Sequence, residues 1–265
     1  MEFVIVASKK DKAGRNIFKK IHEEQPSLPH YLIEKDSINA ENIDKDEMLD
    51  RYDFIIFATK HESKKGKPSL TVHAPGNWKD AKYGGKKNKV CNTSSRFLKC
   101  LFNQLEKEAK KKGLESIYDI TLEVTHHGPY LEKPCCFIEI GSSKKEWQDQ
   151  KAGEVIAKTI KKSINDFEKD KHIDSIPSIG IGGPHYAPGF TKVQLNSKYS
   201  LSHIIPQYVF PINEEMIKEA INKTEEEVKT ALLDWKGMKG KQRQKAVKLL
   251  ESNNIDYKRI TNIEK

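Results

Sequence analysis

The chain has 265 residues with a net charge of +9, 36% hydrophobic and 32% charged side chains, enough for one large domain or two modest ones. Periodic apolar segments run from end to end, which excludes wholesale disorder, and the longest apolar run is only strand-length, which excludes a membrane-spanning helix. Four cysteines (Cys91, Cys100, Cys135, Cys136) without a CxxC argue against a cysteine zinc finger or disulfide framework, and FVIVAS directly after Met1 and Glu2 shows no secretory leader, so a cytoplasmic protein is expected.

The first strand is Phe3–Ser8, followed by an amphipathic helix over 12–23 with Ala13, Ile17, Phe18 and Ile21 on one face. Residues 39–51, acidic and polar, read as a surface loop or short helix. Strands follow at 53–59, continuously apolar over 54–57 as in a strand covered on both faces, and at 69–74. A helix over 94–112 turns Phe97, Leu98, Leu101, Phe102 and Leu105 inward. Strands at 117–126 and 135–141 come next. The Ser143/Glu146 capping box then starts a helix carrying Val155, Ile156, Ile160 and Ile164. Strands at 178–181 and 202–210 precede a second box, Thr224/Glu227, read as opening a helix that reaches Trp235. GMKG separates it from a last helix over 241–252. Strands alternating with helices give an α/β fold in one domain, 1–265, with 224–265 as a helical C-terminal appendage.

Nine histidines are present. His22, His30 and His172 have no distinctive neighbours and read as surface residues. The other six, His61, His73, His126, His127, His185 and His203, lie at strand ends or in Gly/Pro turns. In open α/β sheets such positions face the ligand crevice. Strand alternation sends His126 with Leu122 and Val124, and His127 with Glu123 and Thr125, so the adjacent rings diverge unless the strand breaks; the following Gly-Pro favours a break. Imidazoles converging with carboxylates such as Glu62, Glu123 and Glu139 suit zinc, and a metal-free histidine base with a carboxylate partner is the alternative.

The glycines of SIGIGGPHYAPG permit close backbone approach to a ligand, yet no GK[ST] or GxGxxG follows, so no nucleotide cofactor is expected. GMKG at 237–240, among Lys236, Lys239, Lys241, Arg243 and Lys245, has the form of a loop that clamps a nucleic-acid backbone. Further lysines cluster at 9–12, 64–67 and 79–89. They fit a polyanionic partner, or a solvated lysine-rich surface.

Six blocks, HESKKGKPSLTVHAPGNW (61–78), EVTHHGP (123–129), FIEIGSSKKEW (137–147), GIGGPHYAPGFT (180–191), HIIPQY (203–208) and DWKGMKGKQRQ (234–244), together resemble the archaeal and plant type of D-aminoacyl-tRNA deacylase. The resemblance spans most of the chain. It implies a three-layer α/β/α sandwich with a mixed, mainly parallel sheet of the phosphorylase/hydrolase type. It also implies zinc-dependent hydrolysis of D-amino acids from mischarged tRNA. Combined with the residue pattern, it gives His126, His127 and Glu123 as catalytic candidates and His61, His73, His185, His203 and Glu139 as metal ligands. Gly182 and Gly183 would stabilise an oxyanion, Asn77 would line the substrate site, and Lys64, Lys65, Lys239, Lys241 and Arg243 would contact tRNA. A monomer is expected. A peptidyl-tRNA hydrolase-like or nucleoside phosphorylase-like enzyme, or a non-catalytic RNA-binding protein, would explain the same fold or charge.

Overall fold

Asp11 shows how the N-terminal half is built. Its carboxylate accepts the amides of Ala13 and Gly14, ending β1 (Phe3–Ser8) and starting α1 (Lys12–Glu24). In the computed structural model, which describes residues 1–64, 66–170 and 173–263, the chain continues through β2 (His30–Ile33), β3 (Phe54–Glu62), β4 (Ser69–His73), β5 (Gly76–Asn77), β6 (Lys89–Val90), α2 (Ser95–Lys111), β7 (Asp119–Leu122) and β8 (Cys135–Ser142). Then come α3 (Lys144–Trp147), α4 (Gln150–Glu168), β9 (Ile176–Ile181), α5 (Pro188–Asn196), β10 (Tyr199–Ile205), α6 (Glu214–Asn222), β11 (Thr230–Leu233), α7 (Gly240–Ser252) and β12 (Tyr257–Arg259).

The expected α/β layering is present, with its strands divided between two main sheets. Six strands run in the order β2-β1-β3-β8-β4-β7, parallel except for the β4/β8 pair, and four run parallel as β10-β9-β11-β12. One face of the larger sheet (Ile5, Phe54, Ile56, Val72, Ile138) packs on Ile17 of α1, Phe97 and Leu101 of α2, and Val155 and Ile156 of α4. Leu201, Ile204 and Leu232 of the smaller sheet belong to that same core, while its other face (Ile179, Ile181, Ala231, Leu233) meets Met216 and Ile217 of α6 and Leu250 of α7. The second face of the larger sheet (Val6, Ile55, Phe57, Cys135, Phe137) is covered by irregular chain bearing Ala40, Leu49, Tyr52 and Leu131.

The helix expected over 224–235 is not formed. Thr224 donates its hydroxyl to Ala220 O, Glu226 turns to the start of α2, and residues 230–233 become β11. Burial of Ala231, Leu232 and Leu233 between two helical layers overrides their helical propensity. Over its described part, 224–263, the segment expected as a helical appendage is therefore a strand–helix–strand addition to the smaller sheet. The four cysteines are free and buried. Among the described residues no helix is long and apolar enough to cross a membrane.

Candidate active site

The inner face of β3, β8 and β4 changes character along its length. Ile55 and Phe57 are followed on the same face of β3 by Thr59 and His61, and Cys135 and Phe137 on β8 by Glu139. Register places Glu139 between Thr59 and Thr71, while His73 pairs with Phe137 and His61 with Gly141. A Cβ on Gly141 would meet His61 Cδ2 at 2.9 Å, so glycine there leaves space for the ring.

Glu123 arrives from the seam between the sheets. β7 leaves its ladder at Leu122, and the next amides bond first to one sheet and then to the other: Glu123 N to Val72 O, Val124 N to His185 O, Thr125 N to Ile204 O. The strand predicted to reach His126 thus stops four residues short. His127 takes a left-handed φ of 47°, which cancels the expected divergence and brings the His126 and His127 ring centroids to 4.4 Å.

Glu123 is the hub. Its oxygens lie 3.0 Å from His61 Nδ1, 3.6 Å from His185 Nε2, 3.7 Å from His126 Nε2 and 3.8 Å from His73 Nε2. Glu139 lies 3.5 Å from His61 Nδ1 and 3.7 Å from His73 Nε2, and accepts Thr59 Oγ1 at 2.7 Å. Both Glu123 oxygens and His73 Nε2 are buried without a hydrogen-bond partner, despite the short distances. Such orphaned atoms are costly unless something else occupies their lone pairs.

The outer nitrogens are fixed. His73 Nδ1 donates to Ala74 O (3.2 Å), His126 Nδ1 to Val124 O (2.8 Å) and His127 Nδ1 to Gly128 O (2.6 Å), which leaves each Nε2 as a lone pair. His61 Nε2 shares a 2.7 Å hydrogen bond with the Tyr186 hydroxyl, leaving Nδ1 for the cluster. This is how metal-binding histidines are commonly held from behind. Three trios each offer ligand atoms within 4.8 Å of one another: His73, His126, His127; His61, Glu123, His185; and His73, Glu123, Glu139.

Charge distribution follows the geometry. Burial lowers the pKa of His61 and of His73, but Glu139 and Glu123 outweigh it and raise both. Burial and the neighbouring imidazoles push His126 well down and His127 to about 3. Burial raises Glu139, and the imidazoles of His61 and His73 beside it overcome this and hold it well below the usual carboxylate range.

Some candidates fall elsewhere. His203 stands outside the cluster: its Nδ1 faces Thr125 Oγ1 and its Nε2 faces Lys223 O, both at 3.2 Å, so its ring joins buried elements. Gly182 is contradicted as an oxyanion donor, because its amide is spent on Ile205 O at 2.8 Å. Asn77 is occupied as well, donating to Gly84 O at 2.8 Å. Glu62 is exposed and pairs with Lys60. Lys64, Lys239 and Lys241 are exposed, Arg243 lies over the Trp235 ring at 5.3 Å, and Lys65 lies outside the described residues, as does His172. His30, read as a surface residue, starts β2.

Thr59 and Tyr186 escaped the sequence reading. The signals were Thr59 two residues before His61, hence on its face, and Tyr186 directly after His185 in a Gly/Pro turn. Around Asn77 the loop 78–88 is clamped to the His127 turn: Gly128 N donates to Tyr83 O at 2.9 Å, and a Cβ on Gly128 would lie 2.2 Å from Gly85 N. Gly84 and Gly85 have φ of 71° and 82°.

A family model described as D-aminoacyl-tRNA deacylase matches residues 48–258. Proteins called D-aminoacyl-tRNA deacylase from Methanocaldococcus jannaschii and Pyrococcus furiosus are each 36% identical to this chain, over 98% and 96% of it and 100% and 98% of their own lengths. The crystal structure of a conserved protein of unknown function, AF0625, matches with a TM-score of 0.88 at 26% identity, over 99% of this chain and 96% of its own.

Proposed function

The chain belongs to the D-aminoacyl-tRNA deacylase family, and on that premise we propose that it hydrolyses the ester joining a D-amino acid to the terminal ribose of tRNA, with zinc held by the histidine–carboxylate cluster. The observation that carries the site is Glu123: a buried carboxylate with both oxygens unpartnered, ringed by imidazole nitrogens. Neutral imidazole and carboxylate are the donor set zinc takes. One of the trios drawn from His61 Nδ1, the Nε2 atoms of His73, His126, His127 and His185, and the carboxylates of Glu123 and Glu139 would hold it. When bound, zinc supplies a Lewis acid that makes water nucleophilic near neutral pH.

The chain's own groups do the rest. The imidazole among His126 and His127 left free of the metal accepts a proton from the attacking water at Nε2, the nitrogen its neighbouring carbonyl leaves unprotonated. From the centre, Glu123 faces the His126 ring at 3.7 Å. Gly183, with φ of 80°, remains as the candidate donor to the developing oxyanion now that Gly182 is committed elsewhere. An aminoacyl ester is activated, so positioning supplies much of the acceleration. Exposed lysines, among them Lys64, Lys239 and Lys241, would meet tRNA phosphates.

The test is release of D-tyrosine against L-tyrosine from matched tyrosyl-tRNA, before and after chelation and zinc restoration. D-selective release lost on chelation and restored by zinc is expected. Release that survives chelation would overturn the zinc assignment, and indifference to both esters would overturn the substrate.

A further inference from the structure

Among the described residues six large hydrophobic side chains are exposed, and the two aromatic ones both stand on turns of the cluster. Tyr83, 70% exposed, is held through its carbonyl by Gly128, the neighbour of His127. Tyr208, 57% exposed, sits in the 3-10 turn Gln207–Val209, whose first amide donates to Gly183 O at 3.0 Å, two residues before His185. The rings of His126 and His185 are 4.5 Å apart, and those of His126 and His127 4.4 Å, so the two tyrosine-bearing turns meet at the cluster.

The same loop carries charge that the protein leaves unneutralised. Lys87 pairs with Asp80 and Lys89 with Glu219, whereas Lys79, Lys82 and Lys86 are exposed with no salt bridge among the described residues. Lys86 Nζ lies 4.3 Å over the ring of Tyr130, two residues beyond Gly128.

We infer that Tyr83 and Tyr208, with Lys79, Lys82 and Lys86, form the surface that receives the unpaired 3′ nucleotides of an RNA substrate. The inference rests on the deacylase reading and adds which face holds the RNA end. Lysines alone would serve any polyanion, duplex included. Exposed rings add a surface for bases that are not already stacked on a partner strand, the usual mode for single-stranded RNA. An ester bond delivered to the cluster carries its terminal ribose to the rim, where these two turns lie. The bases then stack on the tyrosines while the lysines meet the phosphates.

The experiment uses full-length zinc-loaded protein and two fluorescent deacylated hairpin RNAs, one with a single-stranded CCA 3′ end and one blunt. Wild-type protein is expected to bind the overhang more tightly than the blunt hairpin by about tenfold, the contribution of one or two stacked bases. Tyr83→Ala and Tyr208→Ala are expected to erase that preference and to raise the KM for D-tyrosyl-tRNA by about tenfold each, with little change in kcat. Tyr83→Phe and Tyr208→Phe should restore both, because stacking needs the ring and not the hydroxyl. Ile117→Ala, an equally exposed apolar residue just before β7, beyond the end opposite Glu123, serves as control. Equal binding of the two hairpins by wild type, or alanine variants that keep its KM and preference, would overturn the surface and leave the deacylase reading intact. Overhang preference lost in the alanine variants, in a protein that releases no D-tyrosine, would support the surface and sink the deacylase reading.

Discussion

The charged groups packed against α2 and those of the histidine cluster are finished to different degrees. At the start of α2, Lys99 donates to the carbonyls of Gln194, Ser197 and Tyr199 at 2.5, 2.8 and 3.0 Å, and Glu226 accepts from Ser94, Ser95 and Arg96. The Lys99 bonds tie α2 to the end of α5 and the start of β10, and those of Glu226 tie it to the loop between α6 and β11. In the histidine cluster, Glu123 and His73 lie as deep and leave lone pairs unmatched. Complete satisfaction marks a buried charge that holds elements together, and incomplete satisfaction marks one waiting for something from outside the chain.

Substitutions sharpen the contrast. The largest effect is expected from Glu123→Gln. D-tyrosyl-tRNA hydrolysis should fall by about a thousandfold, while the thermal midpoint holds, since neither Glu123 oxygen has a hydrogen bond to lose. A variant that hydrolysed normally would break the comparison. Lys99→Met should do the reverse: kcat is retained and unfolding free energy, read in denaturant, drops by about 3 kcal/mol as three buried carbonyls lose their donor.

His203 belongs with the satisfied region, and the pH dependence of stability is expected to show it. Burial pushes its pKa down to about 4 from an ordinary 6.5. Between those values the unfolded chain holds a proton that the folded chain refuses, so stability climbs with pH, is fully present above 6.5 and is lost as pH falls towards 4. The size is about 3 kcal/mol, and His203→Gln should flatten that part of the stability–pH curve. The smallest effect is expected from Tyr186→Phe, which removes the hydroxyl behind His61. Zinc affinity, measured by competition with a chromogenic chelator, should weaken by about tenfold. Unchanged affinity would show that His61 does not depend on its outer partner.

Much of this was legible in the amino-acid pattern because the pattern is local. β1, α1, α2, β8 and α7 follow from periodicity and capping. β11 did not, because KTALLDW has helical propensity and becomes a strand only where two helical layers enclose it. α5 hides behind the Pro188–Gly189 start that reads as a loop, and α6 after Asn213 lacks a long apolar stripe. In the site, histidine-rich strand ends pointed to His61, His73, His126, His127 and His185. The sequence could not separate His203 from them, since its partners Thr125 and Lys223 are distant in the chain. Nor could it show that the Gly182 amide was already committed to β10.

Gly84, Gly85 and Gly128 act as one mechanical joint. A Cβ on Gly84 would fall 1.7 Å from Ile38 O, and one on Gly128 would fall 2.2 Å from Gly85 N, main chain against main chain, where trimming a neighbouring side chain gives no relief. A side chain at Gly85 or Gly128 would push the lysine-bearing loop and the histidine turn apart. The part of the molecule that would greet the RNA and the part that would cut the ester are therefore hinged on one another, so that neither could be re-aimed alone.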